Sequence, residues 1–212
     1  MATITQIDIL RHGLPEGDNC LRGHTDFTLT EQGFRQMQLA VQGLKTPDAV
    51  VTSTLQRCAI FAEHIAEHIA ETQNVEINYS DDWKEMDFGE WDGLTHQQLK
   101  ERVGEDVDAY WYDPWQVCDD GSAPHKGETL EQFDCRIKEA WRQLLQQFKG
   151  KKILLVTHSG VMRQLLRQLF EMPQNTVYLH RINLPYAARV RITVYHDGNQ
   201  DWPQLQWPPY SD

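Results

Sequence analysis

The tripeptide Arg11-His12-Gly13 combines three residue types that suit an anion-binding or catalytic site. Arginine offers a planar set of N–H donors that matches a phosphate or a carboxylate. Histidine acts as a base, a nucleophile or a metal ligand near neutral pH, and glycine lets the backbone approach a ligand closely. By itself the tripeptide is more often a polar strand end, so a catalytic interpretation needs partners elsewhere in the chain.

Further polar groups follow two other apolar runs. Ser53 ends one run and Arg57 comes one helical turn later, whereas His158-Ser159-Gly160 follows the most apolar run of the chain. Ligands of parallel sheets bind beyond the carboxyl ends of the strands, so these groups are expected to converge with the tripeptide. Two arginines can hold a phosphate, and a neutral imidazole nitrogen of either histidine can attack its phosphorus. The N–H groups of the helix that follows would add positive partial charge.

The stretch from Glu85 to Gly93 is the natural source of a general acid. Phosphate ester cleavage requires a proton for the leaving oxygen. A carboxyl group beside Phe88 and Trp91 would be kept partly protonated by desolvation. The composition of the stretch also fits a solvated acidic loop, which stays open as an alternative.

Hydrophobic periodicity gives the elements that must position these groups. Strands are predicted at residues 4–10, 49–53, 75–79, 153–157 and 189–196. Helices are predicted from Thr30 to before Pro47, from Thr54 to Glu71, from Thr129 to Gly150 and from Val161 to Phe170. The segment 202–212, rich in proline and tryptophan, is either a last extended segment or loose chain.

The alternation of strands and helices predicts an α/β fold with three layers, α/β/α, around a mostly parallel central sheet. The length fits one domain over residues 1–212. Residues 94–126 are the least regular part, and we expect a short helix around 95–111 and then a loop, together forming an insertion or lid over the site. The alternative is a surface excursion whose aromatic side chains merely bury themselves.

Composition limits the possible partners. A net charge of −11 argues against nucleic acid or an anionic membrane surface, although it allows a small cationic pocket. The four cysteines lack metal-ligand spacing and are expected to be reduced thiols. The first residues do not have the pattern of a signal peptide, and no apolar run reaches membrane-spanning length, so we expect a cytoplasmic protein.

Six motifs, in order and spread over residues 4–190, resemble those of the histidine phosphatase superfamily, which shares the fold of cofactor-dependent phosphoglycerate mutases. They are Arg11-His12-Gly13, Leu29-Thr30-Glu31-Gln32-Gly33, Ser53-Thr54-Leu55-Gln56-Arg57, Glu85-Met86-Asp87-Phe88-Gly89-Glu90-Trp91-Asp92-Gly93, Gly127-Glu128-Thr129 and Val156-Thr157-His158-Ser159-Gly160. Each motif alone is weakly specific, whereas the ordered set is strongly so. The acidic stretch and the Asp113-Pro114 segment look most like bacterial alpha-ribazole phosphatases, which remove phosphate from alpha-ribazole 5′-phosphate during cobalamin nucleotide-loop assembly.

The resemblance implies a phosphatase that needs neither metal nor cofactor and acts through a phosphohistidine intermediate. It assigns a role to each matching position: His12 is the nucleophile, Glu85 the proton donor, and Arg11, Arg57 and His158 bind the phosphate. It also places Arg22 at the phosphate pocket and Asn183 where a late polar residue reaches the site. The implied partners are a small phosphomonoester, with alpha-ribazole 5′-phosphate as the expected substrate, and inorganic phosphate as the product. A homodimer is possible.

The sequence departs from the family pattern at three places. Gly13-Leu14-Pro15 stands where the family usually has Gly-Glu-Thr, which puts the contacts of that loop in doubt. Ser159 replaces a common glycine and either narrows the pocket or donates a hydroxyl group. Trp83-Lys84 precedes Glu85, where a leucine is more usual, so the substrate fit could differ.

Other functions remain possible at this stage. The fold also serves mutases, which return the phosphoryl group to the substrate, and broad-specificity sugar or nucleotide phosphatases. A non-catalytic phosphate-binding module is a further possibility. The pattern His64-Ile65-Ala66-Glu67-His68 fits inverted zinc peptidases, but it lies on a helix face rich in glutamate that we expect to point to water.

Substrate choice is expected to depend on residues 14–28 and 94–126. Three aromatic residues in the second segment, Trp111, Tyr112 and Trp115, suit stacking on a heterocycle. Packing in the core explains them equally well.

Overall fold

The fold is a six-stranded sheet between helices, seen in a computed structural model that describes residues 3–17, 19–70 and 75–206. The strands are β1 (Thr3–Arg11), β2 (Ala49–Ser53), β3 (Glu76–Ser80), β4 (Lys152–Thr157), β5 (Arg189–His196) and β6 (Asp201–Gln206). The helices are α1 (Glu31–Ala40), α2 (Gln56–Ala70), α3 (His96–Val103), α4 (Asp106–Tyr112), α5 (Leu130–Gln147), α6 (Ser159–Leu169) and α7 (Val177–Arg181). Of two short 3-10 helices, Asp81–Trp83 precedes the acidic motif Glu85–Gly93 and Gly89–Trp91 lies within it.

The strand order is β3-β2-β4-β1-β5-β6. The first four strands are parallel neighbours, β5 runs antiparallel to β1, and β6 runs antiparallel to β5. All described strands except β5 therefore point the same way, which confirms the predicted α/β class and mostly parallel sheet. Their carboxyl ends meet at one edge, where the chemistry-bearing residues lie.

Two buried clusters cover the two faces of the sheet. On one face, side chains of β1, β2, β4 and β5 pack against α5 and α6, with Ile137 and Leu165 fully buried. On the other face, Leu10 and Val156 pack against α1 and α2, with Phe61 fully buried. Alternating side chains along β1 and β4 thus supply both cores, which gives the three layers that the sequence predicts.

The starts of α1 and α5 are predicted to within one residue because capping is a local interaction, whereas α2 and α6 begin at Gln56 and Ser159, two residues from the predicted starts. The Thr30 hydroxyl accepts the Gly33 N–H at 2.9 Å at the start of α1. Thr129 and Gln132 form the expected capping box at the start of α5.

The structure differs from the sequence prediction in the region 94–126. Two short helices, α3 and α4, stand where one helix around 95–111 is predicted, because Gly104 takes a φ of 68° and ends α3. Helix α7 was not predicted, since five residues are too few to show a helical period. The start of the proline-rich segment is strand β6, paired with β5, whereas residues 207–212 and the predicted helix end at Glu71 lie outside the described residues. No helix in the described ranges is both long and apolar enough to span a bilayer.

Two glycines let α1 approach the loop after β1. A Cβ atom on Gly13 would overlap the backbone oxygen of Gly33, and a Cβ atom on Gly33 would overlap the backbone oxygen of Leu14. The close approach fixes Gly13 and Leu14 against α1, and with them the backbone that follows His12.

We therefore expect Gly33→Ala to destabilise the protein by about 1–3 kcal/mol, although alanine is the better helix former. Urea unfolding measures this change. Leu39→Ala, at an exposed position of the same helix, serves as the control and should change stability by less than about 0.5 kcal/mol. If Gly33→Ala and the wild type had the same free energy of unfolding, the loop after β1 would be able to move away from α1 without loss of stability, which contradicts this prediction.

Candidate active site

The pairing of β1 with β4 brings two histidines together. Arg11 is the register partner of Thr157, so the next residues, His12 and His158, lie side by side with ring centroids 5.2 Å apart. The His12 N–H donates to the Thr157 carbonyl at 2.9 Å and fixes this register at the strand ends. Strand β2 ends beside β4 and places Ser53 against the second histidine.

The tautomer of His12 follows from its hydrogen bond. Its Nδ1 lies 2.8 Å from the Gly13 carbonyl oxygen, which only accepts, so Nδ1 carries the proton. In the neutral ring, Nε2 then holds an available lone pair. The backbone is fixed as well, because the His12 carbonyl accepts the Ala187 N–H at 3.1 Å.

The tautomer of His158 is the opposite one. Its Nδ1 accepts the Nε–H of Arg57 at 3.2 Å, and a guanidinium nitrogen only donates. Nε2 of the neutral ring therefore carries the proton and donates to the Ser53 hydroxyl at 2.8 Å. This second histidine is held rigidly on both sides of its ring.

Arg57 is fully buried beneath the site. Besides His158, its guanidinium donates to the carbonyls of Gly23 at 2.6 Å and Thr25 at 3.0 Å. Burying a charged group without hydrogen-bond partners destabilises the fold, so the carbonyls of Gly23 and Thr25 must lie within hydrogen-bond distance of this guanidinium. The arginine thereby ties the loop after β1 to helices α2 and α6.

Burial lowers the pKa of both imidazoles, His12 and His158, well below the ordinary histidine value, and the positive charge of Arg57 lowers both further. The rings are consequently neutral near pH 7. A neutral ring is the form in which the lone pair of His12 is available for attack.

Arg11 lies at the mouth of this cluster. It donates to the Leu184 carbonyl, and its guanidinium carbon sits 4.2 Å from the ring centre of Tyr186. Burial lowers the pKa of Arg11, while the negative charge of Glu85 acts in the opposite direction.

Glu85 is buried and is oriented by two backbone N–H groups. Oε1 accepts from Met86 at 3.1 Å and Oε2 accepts from Gly160 at 3.0 Å. A Cβ atom on Gly160 would overlap Oε1, so glycine is required there. The first turn of α6 thus holds the carboxylate, whereas the sequence analysis expected its N–H groups to serve a phosphate.

A cavity of about 300 Å³ opens on these residues. Its polar lining residues are Arg11, His12, Asn19, Arg22, Glu85, Ser159, Arg163 and Tyr186. Its apolar lining residues are Leu21, Met86, Phe88, Tyr110, Trp111, Pro114, Leu130, Phe133 and Leu179. The cavity therefore offers one ligand both cationic groups and aromatic or aliphatic side chains.

Only some of the predicted site residues line the cavity. Arg22 lines the cavity and donates to the Gly17 carbonyl at 2.9 Å, and Ser159 lines it as the first residue of α6. Arg57 and His158 are buried beside His12 and do not line the cavity themselves. Asn183 is exposed and is not among the residues that line the cavity.

Two polar residues that line the cavity, Arg163 and Tyr186, lie outside every motif and segment that the sequence indicated for the site. Arg163 follows Ser159 by four positions on α6 and shares its helix face, a spacing that was available as a signal. Its Nε donates to the Ile182 carbonyl at 2.9 Å. Tyr186 lies in the irregular segment before β5, 5.9 Å from the His12 ring centre, and no periodic pattern marks it.

The three aromatic residues considered for stacking separate in the structure. Trp111 lines the cavity beside Phe88, with ring centres 6.0 Å apart. Tyr112 is 85% exposed. Trp115 packs under Arg167 instead, 5.4 Å from its guanidinium carbon. Only Trp111 of these three can contact a ligand in this cavity.

The histidine pair of α2 is not arranged as a zinc site. His68 is exposed, but His64 is half-buried against Phe34, with ring centres 4.9 Å apart, so its side chain does not simply face water as expected. Within the described residues, no group of three histidine, cysteine or acidic side chains is placed to hold a metal ion.

The chain belongs to the histidine phosphatase superfamily (branch 1), whose family model matches residues 7–204. It is accordingly a phosphatase with the phosphoglycerate mutase-like fold.

Two named relatives and one solved structure show the degree of similarity within the family. An adenosylcobalamin/alpha-ribazole phosphatase of Escherichia coli is 27% identical over 180 residues, covering 82% of this chain and 84% of the relative. A 2,3-bisphosphoglycerate-dependent phosphoglycerate mutase of Parvibaculum lavamentivorans is 27% identical over 177 residues, covering 80% and 81%. The crystal structure of the alpha-ribazole phosphatase of Shigella flexneri superposes with a TM-score of 0.76 at 25% identity, covering 95% of this chain and 94% of that one.

The lowered pKa values of His12 and His158 make the stability of the protein depend on pH. Imidazoles of the unfolded chain bind protons near pH 6.5, whereas His12 and His158 do so only at lower pH. Between these values the unfolded state holds more protons, so the stability that the two neutral rings contribute is lost as the pH falls through this window.

We expect ¹⁵N NMR to show both rings neutral at pH 6. Arg57→Gln should raise the pKa of both, because it removes a nearby positive charge, while Arg35→Gln at an exposed position should leave the spectra unchanged. Protonation of either ring at the ordinary histidine pKa would contradict the geometry.

Proposed function

We propose that the protein hydrolyses a phosphomonoester through a phosphohistidine on Nε2 of His12. The observation that carries the proposal is the tautomer of this ring: its Nδ1–H is bound to the Gly13 carbonyl, which leaves Nε2 unprotonated. The neighbouring cations Arg11, Arg57 and Arg22 match the negative charge of a phosphate dianion.

In the first step the lone pair of Nε2 attacks phosphorus and the bond to the ester oxygen breaks. A proton held at Glu85 passes to the departing oxygen, which leaves as an alcohol. The product is phosphohistidine at His12, with Glu85 now a carboxylate. Glu85 suits this role because two backbone N–H groups hold it at the cavity wall.

In the second step water attacks the phosphorus of phosphohistidine. Glu85 takes a proton from this water as the P–N bond breaks. The electron pair of the P–N bond returns to Nε2 of His12. Inorganic phosphate leaves and the neutral ring is restored. Positioning and charge stabilisation by the arginines supply most of the catalysis that phosphoryl transfer needs. No step calls for a metal ion or a cofactor.

For the substrate we propose alpha-ribazole 5′-phosphate. The aromatic side of the cavity, with Trp111 and Phe88, offers a surface on which a benzimidazole ring can stack. The alpha-ribazole phosphatases among the relatives support the same choice. Phosphoglycerate mutase-type transfer and broad sugar or nucleotide phosphatase activity are the competing outcomes of the substrate test.

We expect His12→Ala to abolish turnover of a generic aryl phosphate in excess chelator by several orders of magnitude while the fold is retained. Acid-quenched wild-type enzyme should carry a labile phosphoryl group that the variant lacks. His68→Ala, an exposed histidine of α2, is the matched control and should behave as the wild type. Activity close to normal in His12→Ala would eliminate the mechanism.

Trp111→Ala tests the substrate. We expect its KM for alpha-ribazole 5′-phosphate to rise about tenfold because a stacking surface is lost, with little change for a small alkyl phosphate. The neighbouring Tyr112→Ala removes an exposed ring and should leave both substrates unaffected.

The same assay includes 3-phosphoglycerate, with and without a bisphosphate primer, and common nucleotides. Preferred turnover of any of these over the ribazole ester would replace the proposed substrate. Preference for a nucleotide would leave the mechanism intact, whereas primer-dependent turnover of 3-phosphoglycerate would also replace the hydrolytic second step with transfer back to the substrate.

A further inference from the structure

One carboxylate organises the turn formed by Gly23, His24 and Thr25. The backbone N–H groups of all three residues donate to Asp92, with distances of 3.0 Å from Gly23 and 3.1 Å from Thr25. Three successive N–H groups that converge on one anion form a strong local interaction because the acceptor is charged.

The same turn makes three contacts on its other side. The carbonyls of Gly23 and Thr25 accept from Arg57, and Nε2 of His24 donates to the Glu85 carbonyl at 2.9 Å. The turn thus touches both a proposed phosphate ligand and the backbone of the proposed proton donor.

The turn has little room to move. A Cβ atom on Gly23 would overlap the Met86 carbonyl and would lie 2.7 Å from Oδ2 of Asp92. Asp92 itself is fixed, because its N–H donates to the Gly89 carbonyl at 3.2 Å and the preceding Trp91 is buried. The acidic motif therefore holds the turn from one side while Arg57 holds it from the other.

We propose that Asp92 is a positioning residue that, acting through the carbonyls of residues 23 and 25, sets the buried guanidinium of Arg57 so that its positive charge favours a phosphate at His12. The inference rests on the proposed phosphate-binding role of Arg57. A carboxylate is needed because the three donors require two acceptor oxygens. An asparagine offers one oxygen, and its NH₂ group would face N–H donors.

The experiment measures binding of inorganic phosphate by calorimetry and turnover of a generic aryl phosphate. We expect Asp92→Asn to weaken phosphate binding and to lower kcat/KM by about 10- to 100-fold, because the guanidinium is misplaced. Glu90→Gln, two residues earlier, removes an exposed carboxylate that pairs with Lys126 and should change both values by less than about twofold.

A double-mutant cycle separates positioning from general structural damage. If Asp92 acts through Arg57, Asp92→Asn should add less than about twofold to the phosphate-binding loss of Arg57→Ala. Independent, multiplicative losses would overturn the inference, as would a lower Tm combined with wild-type phosphate affinity. Gly23→Ala displaces the same turn without changing a charge and carries the test if Asp92→Asn does not fold.

The two proposals fail in different ways. Wild-type phosphate affinity in Arg57→Ala would remove Arg57 from the proposed phosphate site and overturn this inference with it, whereas the role of His12 is tested separately by His12→Ala. Weak binding in Arg57→Ala together with wild-type binding in both Asp92→Asn and Gly23→Ala would overturn the inference alone.

Discussion

The rest of the site depends on the hydrogen bonds that satisfy the fully buried guanidinium of Arg57. A charge that has left water must be matched by acceptors at hydrogen-bond distance, or it destabilises the fold by several kcal/mol. The acceptors here are two backbone carbonyls, of Gly23 and Thr25, and one ring nitrogen of His158. Each acceptor is constrained in turn: the carbonyls need a tight turn, and the ring must stay unprotonated at Nδ1. The arginine therefore dictates a loop conformation and a tautomer at once.

The electrostatic state of the site follows from this arrangement. The positive charges of Arg57, Arg11 and Arg22 act on the neutral ring of His12, and Glu85 acts on Arg11 and Arg163 in the opposite direction. This local excess of positive charge exists inside a chain of net charge −11. A phosphate dianion would restore the balance, whereas a neutral ester would not. Charge balance thus favours the anionic end of a substrate at His12, and the overall charge of the chain does not reveal this.

The sequence predicted the features that depend on helix capping or on the position of a residue at a strand end. His12, Ser53 and His158 could be expected to converge because each follows a strand, and parallel strands share their carboxyl edge. Side chains such as Arg163 and Tyr186 depend on how α6 and the segment before β5 lie against the cavity, and such long-range packing leaves no short pattern. The exposed position of Asn183 depends on the same packing. The N–H groups at the start of α6 had two possible partners, and the sequence did not show that Glu85 takes one of them.

Buried hydrogen bonds connect groups that carry the apolar lining of the cavity. The Gly127 N–H donates to Nδ1 of His125, so Nε2 carries the proton and donates to the Tyr110 hydroxyl at 3.3 Å. That hydroxyl in turn donates to the sulfur of Met86, next to Glu85. Segment 94–126 is therefore bound to the acidic motif through buried groups. Because Trp111 of this segment lines the cavity and takes no part in the hydrogen bonds that hold His12 and His158, a substitution there can alter substrate choice without disturbing the chemistry at His12.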